Sequence, residues 1–426
     1  MISALVIALF LVFMLLRVPV SVAIALATIV AMLTGGYDLM MLPQRMAAST
    51  QSIELMAIPF FILAANLMTA LGITRDIFDF ADALVGALRG GLAQANVVAG
   101  IIFSGISGAA VADAAALGAI SMKELPKAGY ERPFSAAVVI AVSTLGPMMP
   151  PSIMMVIYAI TAEVSVARMF LAGLLPGLLV ALMLMSLIYA MARYGWIASP
   201  PPKPFSLARL WAKTKSALPA LFMPLVILRG ITSGWATPTE AGVLAILYAL
   251  GLGIVQRRLS PRRLFAAMRS SIESTALIMF IIAVSTALAS LFISEGTAGQ
   301  IGGLITSVSS NPLVFLLIAN GVLMVLGAVI ETLPAMLITL PILLPTAKAL
   351  GIDLLHFGVV VIFNLIVSIM TPPIGIGLYI LMALSNVGFG RLVLATIPFH
   401  LVLLVALAIM IAFPALSLYL PHLLMP

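Results

Sequence analysis

Four short stretches hold the residue types that could bind ions. They are Phe103-Ser104-Gly105-Ile106-Ser107-Gly108, Ser143-Thr144-Leu145-Gly146-Pro147-Met148-Met149-Pro150-Pro151-Ser152, Leu326-Gly327-Ala328-Val329-Ile330-Glu331-Thr332-Leu333-Pro334, and Ser368-Ile369-Met370-Thr371-Pro372-Pro373-Ile374-Gly375-Ile376-Gly377. Each interrupts apolar sequence. A proline removes a backbone donor and breaks a helix about a turn earlier, which frees carbonyl oxygens. Where there is no water, such backbone persists only if it is buried in protein or lines a wet cavity. Freed carbonyls and hydroxyls at half-helix ends suit a cation, and half-helix N-termini attract anionic groups. For any one segment the bland alternative is a kinked helix whose glycines permit close packing.

Two carboxylates lie beside these breaks, and charge at membrane depth is expensive and usually functional. Asp113 reads equally as a complement to a helix N-terminus and as an ion ligand. Glu331 reads as part of a site, directly or by orienting backbone. Glu54, Asn66 and Glu240 are weaker candidates, each suited to a helix end or an interface.

The elements that position these stretches are membrane helices. Of 426 residues, 63% are hydrophobic and 8% are charged, too little charge to solvate a soluble surface of this length. At about 20 apolar residues per crossing, there is room for roughly ten or more spans or half-spans. Solid apolar runs such as Met1 to Leu16, Val18 to Leu33, Leu178 to Ala192 and Leu401 to Phe413 exclude the alternating pattern of a β-barrel. The first run reads as a first span rather than a removable signal peptide. With no cysteine, neither a disulfide framework nor a thiolate metal site is possible. Neither Ser104 nor Ser107 has a sequence-level histidine partner, which argues against an intramembrane enzyme. The net charge of +7 sets orientation rather than marking a nucleic-acid partner.

Two basic stretches, Arg193 to Lys215 and Gln256 to Arg269, belong on the cytoplasmic side. An even number of crossings must separate them. Ala217 to about Ile231 and Pro238 to Val255 supply two, turning at Thr232-Ser233-Gly234. Gly105 and Gly327 are 222 residues apart, and the same shift carries Pro150-Pro151 onto Pro372-Pro373, Gly129 onto Gly351 and Glu131 onto Asp353. The chain therefore reads as a diverged duplication, with residues 1–215 and 216–426 as its halves. Leu92 to Phe103 and Ala109 to Met122 are too short to span and read as the arms of a re-entrant hairpin joined by Ser-Gly-Ile-Ser-Gly. Pro312 to Leu326 and Ala335 to Leu344 repeat that pattern. Corresponding broken helices in two halves are the best sequence pointer to a transporter's binding site.

The chain resembles the large membrane subunit of tripartite ATP-independent periplasmic (TRAP) transporters over essentially its whole length. The resemblance is carried by FSGISGAAVADAAALG (Phe103 to Gly118), STLGPMMPPS (Ser143 to Ser152), TPTEAG (Thr237 to Gly242), PILLP (Pro341 to Pro345) with Gly351-Ile352-Asp353, and NLIVSIMTPPIGIGLY (Asn364 to Tyr379). It implies an all-α integral membrane fold: a multi-span, inverted-repeat, elevator-type carrier with two re-entrant helical hairpins and two discontinuous helices. Its transport domain would be formed jointly by about 85–165 and 295–390.

Carried over by residue, one sodium site would lie among Ser104, Gly105, Ser107 and Gly108, completed by Ser143, Thr144, Gly146 and Pro147. The second would lie among Gly327, Glu331 and Thr332, with Ser368, Thr371 and Pro373. Substrate would sit between the tips, near Ser107, Gly108, Pro150, Thr332, Pro334 and Gly375. The resemblance implies no cofactor beyond sodium as coupling ion. It implies two partners, a small membrane subunit and a periplasmic substrate-binding protein, with a small organic acid as solute and the bacterial inner membrane as location. The small subunit is expected as a separate chain. A stand-alone ion-coupled carboxylate carrier is the alternative. The sequence departs from the family at Ala109, where Ser is frequent; at Glu331, usually Asp; at Ser368, usually Gly; and at Gly377, where an Asn side chain is more common.

Overall fold

A computed structural model describes residues 2–297, 299–300, 302–303 and 310–425. Among them eight helices are long and apolar enough to cross a membrane, or nine if one pair bent by 42° is counted as a broken span. Residues 304–309 of the expected transport unit lie outside the described residues.

The chain opens with α1 (Ile2–Leu15), α2 (Val20–Gly35), the short α3 (Met41–Ser49) and α4 (Ala57–Ala70). An amphipathic helix, α5 (Ile73–Val85), follows. Ile73, Ile77, Phe78 and Ala81 form its buried face, and Asp76, Asp79 and Asp82 follow at every third position. Next come α6 (Gly91–Ser107), α7 (Ala110–Lys127), α8 (Arg132–Ser143), α9 (Ile153–Thr161) and the long α10 (Val166–Arg193). The second half runs through α11 (Leu207–Thr232), α12 (Pro238–Val255), α13 (Pro261–Ser294), α14 (Pro312–Val329), α15 (Thr332–Ala349), α16 (Leu354–Ser368), α17 (Ile376–Ser385), α18 (Phe389–Ala412) and α19 (Ala415–Leu424).

The offset of 222 residues recurs in the helix bounds. A shift of 222 carries α7 onto α15 residue for residue at both ends, carries the end of α6 onto the end of α14, and carries the start of α8 onto the start of α16. Both Pro-Pro peptides, Pro150-Pro151 and Pro372-Pro373, are cis. With the two basic stretches on one side, α10 ends and α13 begins on that side.

Three expectations from the sequence are corrected. Ser104-Gly105-Ile106-Ser107 is the last turn of α6, not a linker, because it contains no proline and its N–H groups stay available. Only Gly108, at φ 62°, breaks the helix. Likewise Pro334, Pro341 and Pro345 do not end α15. Pro334 falls in the first turn, where its missing N–H has no intrahelical partner to lose. The arms are therefore 17 and 18 residues in the first pair and 18 in each arm of the second, about 26 Å long. Length alone no longer marks them as half-spans.

The basic stretch Arg193 to Lys215 is not all loop either. Helix α11 starts at Leu207, capped by the Ser206 hydroxyl. Its first turns and the preceding residues clamp α5. Lys203 Nζ lies 2.8 Å from Asp82, Arg209 also pairs with Asp82, Lys213 lies 2.7 Å from Asp79, and Arg258 lies 2.6 Å from Asp76.

Candidate ion and substrate site

The first pair of arms folds back at Gly108-Ala109, and a bond across the tip fixes its register. The Ser104 hydroxyl donates to Asp113 Oδ2 at 3.1 Å, with both residues fully buried. The pair then seats on the first helix break. A side-chain carbon at Gly146 would fall on Asp113 Oδ2 and lie 3.2 Å from the backbone of Ala109 and Ala110. One at Gly108 would lie 2.5 Å from the Pro151 carbonyl oxygen. Ser104, Gly108, Gly146 and Pro150 to Ser152 are thus brought together, and Gly105 packs on Pro224 of α11.

Among the described residues, Asp113 Oδ1 and Ser107 Oγ are buried without a full hydrogen bond, and the Ser107 hydroxyl faces the Asp113 carboxylate. Buried polar groups are rarely left unpaired. Ser143 and Thr144 are buried too, but their hydroxyls turn back onto Ile140 and Ala141 carbonyls. Pro147 lies in a buried 3-10 turn, Gly146–Met148. Asp113 is the residue that sequence reasoning left undecided. It caps no backbone N–H of α7, so its carboxylate serves the cluster. The sequence signal was its distance from the tip, equal to that of Ser104 on the other arm.

The second break is built alike at its centre and differs at its rim. A side-chain carbon at Gly327 would lie 2.6 Å from Ser368 Cβ, and the N–H groups of Ile374 and Gly375 donate to the Ala328 carbonyl at 3.2 and 3.4 Å. Gly327, Ser368 and Gly375 are therefore gathered. The Ser368 hydroxyl donates to the Asn364 carbonyl and that of Thr371 to the Val367 carbonyl. Glu331 is exposed, Thr332 and Thr371 are half-buried, and Pro373 is exposed. Among the described residues, neither the Glu331 carboxylate nor the Thr332 hydroxyl makes a hydrogen bond. Pro334 is buried in the first turn of α15.

Sequence reasoning missed Asn320. Asn364 Nδ2 donates to the backbone oxygen and to Oδ1 of Asn320, at 2.9 and 2.7 Å, while Asn364 Oδ1 is buried without a partner. This pair ties α14 to α16. An Asn in an apolar arm was its only signal.

The two broken helices share one core. Tyr158 of α9 lies against Gly358 of α16 and donates to the Leu354 carbonyl at 2.6 Å. A side chain at Gly377 would meet Ile140 at 2.9 Å, which explains the absence of an amide there. Residues 134–159 are buried without exception, whereas Pro372, Pro373 and Ile374 are exposed. Four helices, α7, α9, α15 and α17, begin at the tips and breaks and direct the positive ends of their dipoles there. Of the weaker candidates, two make structural contacts. Glu240 forms a capping box with Thr237, Asn66 donates to Ser271 Oγ at 2.8 Å between α4 and α13, and Glu54 is exposed.

Many membrane helices, a duplicated set of breaks and buried unpaired oxygens define a multi-span membrane transporter. The family model for the DctM component of tripartite ATP-independent periplasmic transporters matches residues 7–416. The chain belongs to that family. It is 35% identical over 403 residues to the sialic acid TRAP transporter large permease protein SiaM of Vibrio cholerae, covering 94% of this chain and 93% of that one. It is 37% identical over 378 residues to the C4-dicarboxylate TRAP transporter large permease protein DctM of Pseudomonas aeruginosa, covering 88% and 87%. In fold it is similar to MtrF of Neisseria gonorrhoeae, with a TM-score of 0.56 and 14% identity over 90% of this chain and 84% of that one. The Alcanivorax borkumensis YdaH transporter gives a TM-score of 0.54 at 15% identity, over 84% and 85%.

Proposed function

We propose that the chain is the large permease of a sodium-coupled importer of a small organic acid. The acid would be handed over by a periplasmic substrate-binding protein. A small membrane subunit would complete the complex in the bacterial inner membrane. The observation that carries the reading is the buried Asp113 carboxylate, faced by the Ser104 and Ser107 hydroxyls, with Oδ1 and Ser107 Oγ short of a full hydrogen bond. A carboxylate in a low-dielectric site needs a cation or a proton. The Ser104 hydroxyl holds Oδ2 and leaves Oδ1 and Ser107 Oγ as hard oxygen donors, the chemistry that suits an alkali cation. In the second half, Asn364 Oδ1 is buried without a partner one turn before the break, and the Glu331 carboxylate and Thr332 hydroxyl lie at the tip without hydrogen bonds among the described residues.

The N-termini of α7 and α9 at the first break, and of α15 and α17 at the second, favour an anionic solute between the tips. Relatives named for sialic acid and for C4-dicarboxylates support a carboxylate. An elevator mechanism has two supports. The broken helices and paired arms share one packed core, and α5 is held by ion pairs to the basic segments around α11. The test is uptake into proteoliposomes containing this chain, its small subunit and the binding protein. Accumulation is expected only under an inward sodium gradient. Equal uptake without sodium would remove the ion assignment. Uptake by this chain alone would favour a stand-alone carrier.

A further inference from the structure

At the base of the first pair of arms, a crevice of about 370 Å³ opens between α5, the end of α7 and Lys203. At about 30 Å³ per water, it has room for roughly a dozen waters, or for a small polar headgroup. Its position beside the basic stretches sets it on the cytoplasmic side. The wall from α5 offers Asp79 and Asp82, but both are already paired, Asp82 with Lys203 and Arg209 and Asp79 with Lys213. Arg75 of the same helix and Lys123 and Lys127 of α7 also line the crevice. All three are exposed and make no ion pair among the described residues. Glu124 is the one unpaired acid in the lining. Three free cations therefore oppose one free carboxylate. The rest of the wall is apolar, made by Phe78, Leu92 and Ile120.

An apolar wall beside an excess of unpaired cations, on the side of the basic stretches, matches a lipid headgroup and its first methylenes. Basic pockets between membrane helices on the cytoplasmic side take anionic headgroups, and lysine and arginine supply charge-assisted bonds to phosphate. We propose that this crevice binds the phosphate-bearing headgroup of an anionic phospholipid. The bound lipid ties the base of the first arms to the clamped helix α5.

The test is a thermal-shift titration of the purified full chain in detergent. Short-chain phosphatidylglycerol, short-chain phosphatidylcholine and glycerol phosphate are the probes. Phosphatidylglycerol is expected to raise the melting temperature where phosphatidylcholine does not. The double variant Lys123→Ala, Lys127→Ala should need roughly tenfold more phosphatidylglycerol for the same shift, with its melting temperature in phosphatidylcholine unchanged. Lys348→Ala with Arg391→Ala removes the same charge elsewhere and should titrate like the parent. Three results overturn the proposal: equal protection by both lipids, equal weakening in the two double variants, or protection by glycerol phosphate at the concentration that the lipid requires.

Discussion

Replacing Gly146 with Ala tests whether the contact between the first tip and the first break builds an ion site. The added methyl would fall on Asp113 Oδ2 and lie 3.2 Å from the backbone carbon of Ala109 and the nitrogen of Ala110. The Asp113 carboxylate must therefore move, and the two backbone neighbours must give by a few tenths of an ångström. Overpacking of this kind costs about 1–3 kcal/mol. Part of that cost is relieved by moving the Asp113 carboxylate away from Ser104 and from its other free donor, Ser107. If sodium is held there, a tenfold loss of affinity follows from about 1.4 kcal/mol of lost interaction. Sodium at a hundred times its Kd stabilises a protein by about 2.7 kcal/mol, and at ten times by about 1.4 kcal/mol. Gly146→Ala should therefore lose about half of the stabilisation that sodium gives the parent. The assay is thermal unfolding in detergent across a sodium series, with choline replacing sodium. Gly118→Ala is the control, since its methyl would meet only the terminal carbon of Leu384, at 2.8 Å. A parent-like sodium response in Gly146→Ala would refute the reasoning, as would an equal loss in Gly118→Ala.

Asp113→Asn keeps the volume and removes the charge; sodium-driven uptake should fall at least roughly tenfold, measured as initial rates against sodium concentration. Asp82→Asn leaves Lys203 and Arg209 without their shared partner and should lower stability by about 1 kcal/mol at low salt, with a smaller loss at high salt, read from melting curves at two ionic strengths. Asn320→Leu removes one of the two hydrogen bonds of the buried Asn364 amide, leaving that to the backbone oxygen, and should cost about 1–3 kcal/mol, while the double variant with Asn364→Leu should recover part of that loss in a double-mutant cycle.

The shared offset was legible because proline and glycine fix backbone breaks locally, and α7 and α15 begin and end at matching positions. Arm lengths were misread for a related reason. Serine and glycine near Ser104 lower helix propensity without removing a hydrogen-bond donor, so the buried arm overrides them. The pairing of Asp76, Asp79 and Asp82 with Arg258, Lys213 and Lys203 could not be read, since the partners lie 121 or more residues apart. Charge patterning assigned those cations only to a side of the membrane. Asp113 and Ser104 were both visible, but only folding showed that the carboxylate turns to the serine and not to its own helix end. Asn320 and Asn364 needed the packing of α14 on α16 to meet.

The contrast between a buried first break and an open second one bears on how such a carrier can change its cargo over time. An added atom at Gly108 collides with the Pro151 carbonyl and one at Gly146 with the Asp113 carboxylate, so a change at either position demands a shift in a second residue. At Pro372, Pro373 and Ile374 a side chain already faces outward, and substitutions can be accepted one at a time. Drift in preference for one organic acid over another should therefore accumulate in the second repeat. The first repeat would remain a fixed mould around its buried carboxylate.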